Sequence, residues 1–162
     1  MSEIETLYRS YAPAVLRFAW GLCGDRARAE DLVSETFVRL LTRAPRIETR
    51  TALAYLLAIA RNAFLDEVRS GRREVPLPGD LRAPERSPYE RIDDAGQLRA
   101  VMERLRSLPE GERAALLLRV DHELSYDEIA GVLGISIAAA KVRVHRARTR
   151  LAAAREEGGK GR

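Results

Sequence analysis

The sequence predicts an all-α protein of two small helical domains joined by an extended linker. Apolar residues recur at three- and four-residue steps in two blocks, which is the period of a helix with one buried face. Aromatic residues make up only 6% of the 162 residues while Ala, Leu and Arg are abundant, and this mixture favours helices packed on helices. Between the blocks, scattered Pro and Gly follow no apolar period. The expected units are domains at 1–71 and 92–155, a linker at 72–91 and a disordered tail at 156–162.

Because the linker is too long for an ordinary loop inside a compact domain, we expect the two domains to fold independently. The first predicted helix has an apolar face from Ile4 to Leu22. Pro13 lies inside this face and is expected to kink or divide the helix, since proline lacks a backbone N–H and clashes with the preceding turn. Gly24 and Asp25 then supply a stop and a cap for the second helix. The stripe that this helix is expected to bury consists of Leu32, Val33, Thr36, Phe37, Leu40 and Leu41.

The third predicted helix is capped by Thr49 or Thr51 and stops near Gly71. Its expected inward face consists of Leu53, Leu56, Leu57, Ala60, Phe64 and Val68. After the linker, a fourth helix runs up to Pro109, which can open a fifth helix that ends near Val120.

The segment 125–150 has the pattern of a helix-turn-helix. Ser125 and Glu128 form a capping box, Gly134 supplies a left-handed turn, and Ser136 caps the last helix. That helix then presents a series of basic or titratable side chains with no acid among them, which suits base edges and phosphates in the major groove. The series consists of Lys141, Arg143, His145, Arg146, Arg148 and Arg150. A plain helical hairpin with a solvated basic face is the alternative at this point.

The composition limits the remaining classes of function. The net charge of +4 is a mild sign of a polyanionic partner. Cys23 is the only cysteine and the two histidines, His122 and His145, are far apart, so neither a disulfide nor a metal is expected. The sequence has no nucleophile–base pair and no Gly-rich phosphate loop, so we expect no enzyme and no cofactor. With no signal peptide and no apolar run of about 20 residues, the cytoplasm is the expected location.

Both blocks resemble the extracytoplasmic-function (ECF, group 4) sigma factors of bacterial RNA polymerase, in the sigma-70 family. Similarity to region 4 of that family is carried by Leu108-Pro109-Glu110, 115–119, 124–130, 133–136, Lys141, Arg143 and 145–148. Similarity to region 2 is carried by Leu7-Tyr8, 11–13, Phe18-Ala19, 29–33, 35–37, 59–62, Asp66 and Arg69. The two motifs follow the family's order and extend from about residue 7 to residue 151.

The resemblance implies a subunit that binds core RNA polymerase and directs promoter-specific initiation of transcription. In this family, region 2 recognises and opens the −10 element and region 4 reads the −35 element. The implied partners are core polymerase, promoter DNA and an anti-sigma factor; the chain is expected to be monomeric when free and to make no membrane contact of its own. Two alternatives stay open: a stand-alone helix-turn-helix regulator, which the region 2 match disfavours, and a decoy that binds an anti-sigma protein without reading a promoter.

The resemblance also assigns roles to particular residues. Docking on the clamp helices of the largest polymerase subunit is implied for Asp31, Ser34, Glu35 and Arg39, on the face opposite the buried stripe. Recognition of the −10 element is implied for Tyr55, Asn62, Asp66, Arg69, Arg72 and Arg73. Reading of the −35 element is implied for Lys141, Val142, Arg143, His145 and Arg146. The alternatives are a solvated acidic face on the second helix, an ordinary partly buried Tyr55 and a solvated His145.

The chain departs from the family pattern at several of these positions. Residues 138–140 are all Ala where Gly-Thr-Val is usual, which removes a hydroxyl able to bond phosphate. Val142 stands where Ser is common and exchanges a hydrogen bond for contact with a thymine methyl group. These two changes are expected to alter the promoter sequence that is read. Ser34 in place of Gln and Tyr55 in place of Trp are expected to alter affinities.

Overall fold

The computed structural model describes residues 2–43, 46–47, 49–71 and 92–160. These residues form seven helices and no strand, so the all-α prediction is confirmed. The helices are α1 (Glu3–Cys23), α2 (Arg26–Thr42), α3 (Ala52–Ser70), α4 (Ile92–Ser107), α5 (Glu110–Val120), α6 (Tyr126–Leu133) and α7 (Ile137–Lys160). The predicted linker at 72–91 lies outside the described residues, and so does the end of the predicted tail at 161–162.

Helices α1, α2 and α3 pack on one another and form the first unit. Their ends follow the predicted signals: the Asp25 carboxylate accepts from Arg28 N at 3.2 Å, and the Thr51 hydroxyl accepts from Ala54 N at 3.1 Å. Gly24 and Gly71 close α1 and α3 with φ of 74° and 69°, in the left-handed region that glycine tolerates. The largest fully buried side chains of this unit are Val15, Phe18, Leu22, Leu32, Thr36, Leu56, Leu57 and Ile59.

Three local predictions about the helices were wrong. Pro13 does not divide the first helix, because α1 runs through it and buries Val15, Phe18 and Leu22 beyond it. Burial of this face offsets the cost of an interior proline, which is about 3 kcal/mol. Leu41 and Val68 were expected inside but are 59% and 51% exposed, since each lies in the last turn of its helix, where the buried stripe leaves the core. The predicted disordered tail begins as helix: α7 continues to Lys160 through Ala, Arg and Glu residues of high helix propensity.

Helices α4 to α7 form the second unit, and α6 with α7 makes the helix-turn-helix. The Ser125 hydroxyl accepts from Glu128 N at 3.1 Å, which is the first of the two bonds that the capping box predicts. The Glu128 carboxylate accepts from the Ser125 hydroxyl at 3.1 Å, whereas the capping box predicts the Ser125 N–H as its partner. Gly134 has a φ of 66°, and the Ser136 hydroxyl accepts from Ala139 N at 3.1 Å. The turn is fixed by buried apolar residues on both helices: Ile129, Ala130, Leu133, Ala140 and Val144.

The two units pack against each other, with α1 on α4 and α5, and α3 on α6. Nε and Nη2 of Arg61 donate to the two carboxylate oxygens of Glu110 at 2.7 and 2.8 Å. The guanidinium of Arg113 donates to the carbonyl oxygen of Leu22. Gly21 permits this approach of α1 to α5, because a Cβ there would lie 2.7 Å from a methyl group of Leu117. The two domains are thus in contact in this structure, and their independent folding stays a prediction.

A histidine is buried where the two units meet. The side chain of His122 is 1% exposed and stands edge-on to the ring of Phe18, with the centroids 5.8 Å apart. Its Nε2 lies 3.4 Å from Asp121 Oδ2 but has no hydrogen-bond partner. Burial lowers the pKa of His122, and this outweighs the opposing effect of the Asp121 carboxylate. Burial at the interface therefore favours the neutral form of this imidazole.

Candidate nucleic-acid interface

The outer face of α7 carries four of the five residues that were predicted to read DNA. Lys141, Val142, His145 and Arg146 are exposed. On the opposite side of the helix Ala140, Val144 and Ala147 are buried in the seam with α5 and α6. A row of small and β-branched residues thus fixes the helix from behind and leaves the four side chains directed away from the core.

Arg143 differs from these four because it lies on the side of α7 that faces α5. It is half-buried, and its Nη1 would lie 2.8 Å from a Cβ added at Gly111 in the first turn of α5. Two turns further along α7, Nε of Arg150 donates to the buried carboxylate of Glu112 at 2.8 Å. These contacts hold α7 against α5, so Arg143 sits at the edge of the candidate reading surface rather than in its centre.

Tyr126, which the sequence analysis did not select, organises the cations beside this surface. Its ring lies 4.5 Å from the guanidinium carbon of Arg119 and 5.8 Å from Nζ of Lys141. Nη1 of Arg119 also donates to the carbonyl oxygen of Leu124 at 3.0 Å. Cations at these distances from a ring centre are attracted by its negative face. The available signal was an aromatic residue directly after the Ser125 cap, at the start of the first helix of the motif.

On α2 the structure divides the residues that were predicted to dock on polymerase. Asp31 and Ser34 are exposed, and the Glu35 side chain is 42% exposed. Val38 lies one turn beyond Ser34 and is also exposed, which adds an apolar side chain that the prediction did not include. Arg39 does not share this face: its side chain is only 14% exposed. Its long chain folds toward α3, where carboxylates satisfy the guanidinium.

Arg39 joins the candidate polymerase face to the candidate −10 face. Nε of Arg39 donates to Glu35 Oε1 at 2.9 Å, and its Nη1 donates to Asp66 Oδ2 at 2.8 Å. The other oxygen of Asp66 lies 4.0 Å from Nη1 of Arg69. Burial by itself lowers the pKa of Arg39, but the hydrogen bonds to Glu35 and Asp66 outweigh it, and the net effect is a raised pKa.

The other candidate −10 residues occupy different surroundings on α3. Tyr55 is half-buried, while Asn62 and Arg69 are exposed. Asn62 lines an open cleft of about 860 Å³ whose far wall is the turn region 131–137 of the helix-turn-helix. Nη2 of Arg50 lies 3.3 Å from Asp127 Oδ2, which links the two sides of the cleft. The predicted phosphate contacts Arg72 and Arg73 lie outside the described residues.

Within the described part of the chain, no group of three or more His, Cys, Asp or Glu side chains could hold a metal ion. No helix in the same residues has the length and apolar character that crossing a bilayer demands.

Each of the two units matches a known protein family. Residues 7–74 match the family Sigma-70 region 2, and residues 98–151 match the family Sigma-70, region 4. The chain is 38% identical over 156 residues to the ECF RNA polymerase sigma factor SigE of Mycolicibacterium smegmatis, in a match that covers 93% of this chain and 61% of SigE. It is 34% identical over 155 residues to the ECF RNA polymerase sigma factor SigM of Bacillus subtilis, covering 93% of each.

Solved structures give the same result for the fold. The chain is similar to the sigma factor RpoE in its complex with the anti-sigma factor NepR from Bartonella quintana, with a TM-score of 0.73 and 28% identity over 93% of this chain and 95% of that one. It also has the fold of CnrH, solved in complex with the cytosolic domain of CnrY, with a TM-score of 0.71 and 24% identity over 95% and 88% of the two chains.

The helix-turn-helix and the two matched regions define a two-region transcription factor of the sigma-70 class. Within that class, the chain belongs to the extracytoplasmic-function sigma factors of RNA polymerase. The predicted family is thereby confirmed. Sigma factors are initiation factors without catalytic chemistry, so the prediction that the chain is not an enzyme is confirmed as well.

Proposed function

We propose that this sigma factor binds core RNA polymerase through α2, reads the −35 element with α7 and engages the −10 element with α3. The observation that carries the proposal is the outer face of α7. Exposed Lys141, Val142, His145 and Arg146 lie over a buried seam, and such a helix suits the major groove. Reconstitution of the full chain with core polymerase, followed by mapping of transcript starts on a genomic promoter library, tests the whole proposal. Transcripts without a shared −35 and −10 sequence contradict it, and a chain that binds core but starts no transcript indicates a decoy.

The polymerase contact is proposed for the exposed side chains Asp31, Ser34, Glu35 and Val38 on α2. An acidic pair beside an apolar side chain offers both charge complementarity and area for burial, and charged pairs that lose water at an interface contribute more than they do on a free surface. The double variant Asp31→Lys, Glu35→Lys is expected to lose core polymerase in a pull-down assay while its helical circular dichroism is unchanged. The double variant Glu3→Lys, Glu5→Lys, which reverses two exposed acids on α1, is the matched control and is expected to bind as the unaltered chain does.

An anti-sigma factor is proposed as a regulatory partner. The support is the similarity to RpoE over nearly the whole chain, because that protein was solved in complex with the anti-sigma factor NepR. We further propose that the chain works in the cytoplasm, where polymerase and promoter DNA are found. Affinity capture with the tagged full chain from its own cells, followed by mass spectrometry, tests for the partner, and fluorescence microscopy of the tagged chain tests the location. Recovery of polymerase subunits with no small specific partner contradicts the anti-sigma proposal alone.

A further inference from the structure

The contact between α2 and α3 around Arg39 carries an inference that rests on the proposed function of these two helices. Arg39 holds Glu35 on its own helix and Asp66 on the next, at 2.9 and 2.8 Å. Glu35 belongs to the proposed polymerase face and Asp66 to the proposed −10 face. We propose that Arg39 and Asp66 are positioning residues rather than contacts to either partner. Arg39 fixes Glu35 for polymerase and Asp66 places Arg69 for DNA. The bond between Arg39 and Asp66 thereby couples the two binding events.

The burial of Arg39 argues against a direct contact with polymerase. Its side chain is 14% exposed, whereas Glu35, one turn earlier, is 42% exposed. Two of its donor groups, Nε and Nη1, are engaged with carboxylates on different helices. A planar guanidinium can hold two acceptors in fixed directions, and a flexible ammonium group does this less well. Arg39 therefore bridges α2 and α3.

The charge of Asp66 argues against a direct contact with DNA. A carboxylate repels phosphate, so on a nucleic-acid surface it costs free energy unless cations neutralise it. Asp66 has one oxygen bonded to Arg39 and the other 4.0 Å from Nη1 of the exposed Arg69. Asp66 therefore places a negative charge beside Arg69, whose side chain is 77% exposed, and Arg69 is the group able to meet phosphate or an unpaired base.

A second ion pair between the same two helices serves as a matched control. Nε of Arg28 lies 3.0 Å from Glu67 Oε2, and both side chains are mostly buried. Glu67 follows Asp66 on α3 but points to Arg28 at the start of α2, away from Glu35. Breaking this pair disturbs the packing of α2 on α3 to a similar extent without touching the chain of contacts from Glu35 through Arg39 and Asp66.

The experiment measures the affinity of the full chain for immobilised core polymerase and, at saturating holoenzyme, the opening of a mapped promoter by permanganate reactivity. We expect Arg39→Gln to weaken core binding about tenfold and Asp66→Asn about threefold, although Asp66 lies outside the polymerase face. The double variant is expected to bind within about twofold of Arg39→Gln alone, because both changes break one contact. Arg39→Lys is expected to restore part of the binding and less of the opening. The control Arg28→Gln, Glu67→Gln is expected to change neither by more than about twofold, because neither side chain belongs to the contacts that run from Glu35 through Arg39 to Asp66.

Three results would overturn the coupling. The first is core affinity unchanged in Asp66→Asn; the second is a double variant whose loss is the product of the two single losses; the third is an equal loss in the Arg28 and Glu67 control, which would make the effect one of packing. Glu35→Lys, measured alongside, separates this inference from the proposed function. If Glu35→Lys binds core normally, the docking face is wrong and the coupling falls with it. If Glu35→Lys fails to bind and one of the three results is found, the face stands and only the coupling is wrong.

Discussion

The bidentate pair between Arg61 and Glu110 is the most direct probe of the packing between the two units. The change is a double-mutant cycle with Arg61→Met, which keeps most of the aliphatic chain, and Glu110→Gln, which keeps the shape of the carboxylate. Glu110 also lies in the first turn of α5, where a negative charge is favoured by the helix dipole. The cycle cancels that contribution, because it isolates the part of the free energy that depends on both side chains.

The magnitude follows from the geometry of the pair. Two charge-assisted hydrogen bonds of 2.7 and 2.8 Å join side chains that are 11% and 24% exposed. Bonds to charged groups contribute about 1.5–3 kcal/mol, while desolvation of two partly buried charges offsets part of this. We therefore expect a coupling free energy of about 1–2 kcal/mol, compared with about 0.3 kcal/mol for the exposed pair Arg26 and Glu30 within α2.

Urea unfolding of the full chain, followed by circular dichroism, measures the coupling. The control cycle Arg26→Met, Glu30→Gln is run under the same conditions. A coupling free energy for Arg61 and Glu110 no larger than that of the control pair would refute the reasoning. The pair of Arg61 and Glu110 would then add no more to the packing between the two units than an exposed pair adds on a free surface.

Three further outcomes are expected. Because burial lowers the pKa of His122, the unfolded chain takes up the proton at a higher pH than the folded chain does. The free energy of unfolding therefore falls as the pH drops below about 6.5. Urea titrations from pH 7.5 to 5 should show this fall in the unaltered chain and in His145→Gln, but much less in His122→Phe. Arg146→Ala should cost about 1–3 kcal/mol on the preferred −35 duplex and relax specificity at one base pair, whereas Lys141→Ala should weaken all duplexes alike and reduce the salt slope by about one unit; the reverse pattern would exchange the two roles. Burial raises the pKa of the Cys23 thiol, so a maleimide should label the native chain slowly and the urea-unfolded chain rapidly, and equal rates would contradict its buried position.

Features fixed by local chemistry could be predicted from the sequence. Thr51, Ser125 and Gly134 mark helix ends through contacts within a few residues, so each boundary followed from side-chain type and spacing. The exposed face of α7 followed from its period in the same way. Pro13 was misjudged because its local cost is outweighed by burial of the whole helix face, which no local pattern reports.

Contacts between distant parts of the chain could not be predicted. Arg61 and Glu110 are 49 residues apart, and neither has a neighbour that marks it as half of an ion pair. Arg39 had the right helical position for an outward face, but its length lets the guanidinium reach Asp66 on another helix, 27 residues further along the chain. Helical period specifies the direction of a Cβ, whereas the end of a long side chain goes where a partner lies.

The contact between α3 and α6 has a consequence for the amount of polymerase that this chain requires. By their names, the two promoter elements lie about 25 base pairs apart, which is about 85 Å of B-form DNA at about 3.4 Å per base pair. Under the proposed function, α3 and the helix-turn-helix bind these two elements, and they cannot do so while they are in contact. The contacts that Arg61 and Gly21 make with α5 therefore have to open before a promoter is spanned. The free energy needed to separate the two units weakens binding to the promoter. Every 1.4 kcal/mol of this free energy leaves about tenfold fewer molecules in the open state and raises the apparent dissociation constant by the same factor. The strength of the packing of α1 and α3 on the second unit thus sets the concentration of polymerase that this chain needs. At lower concentrations, polymerase is occupied by other sigma factors that compete for it.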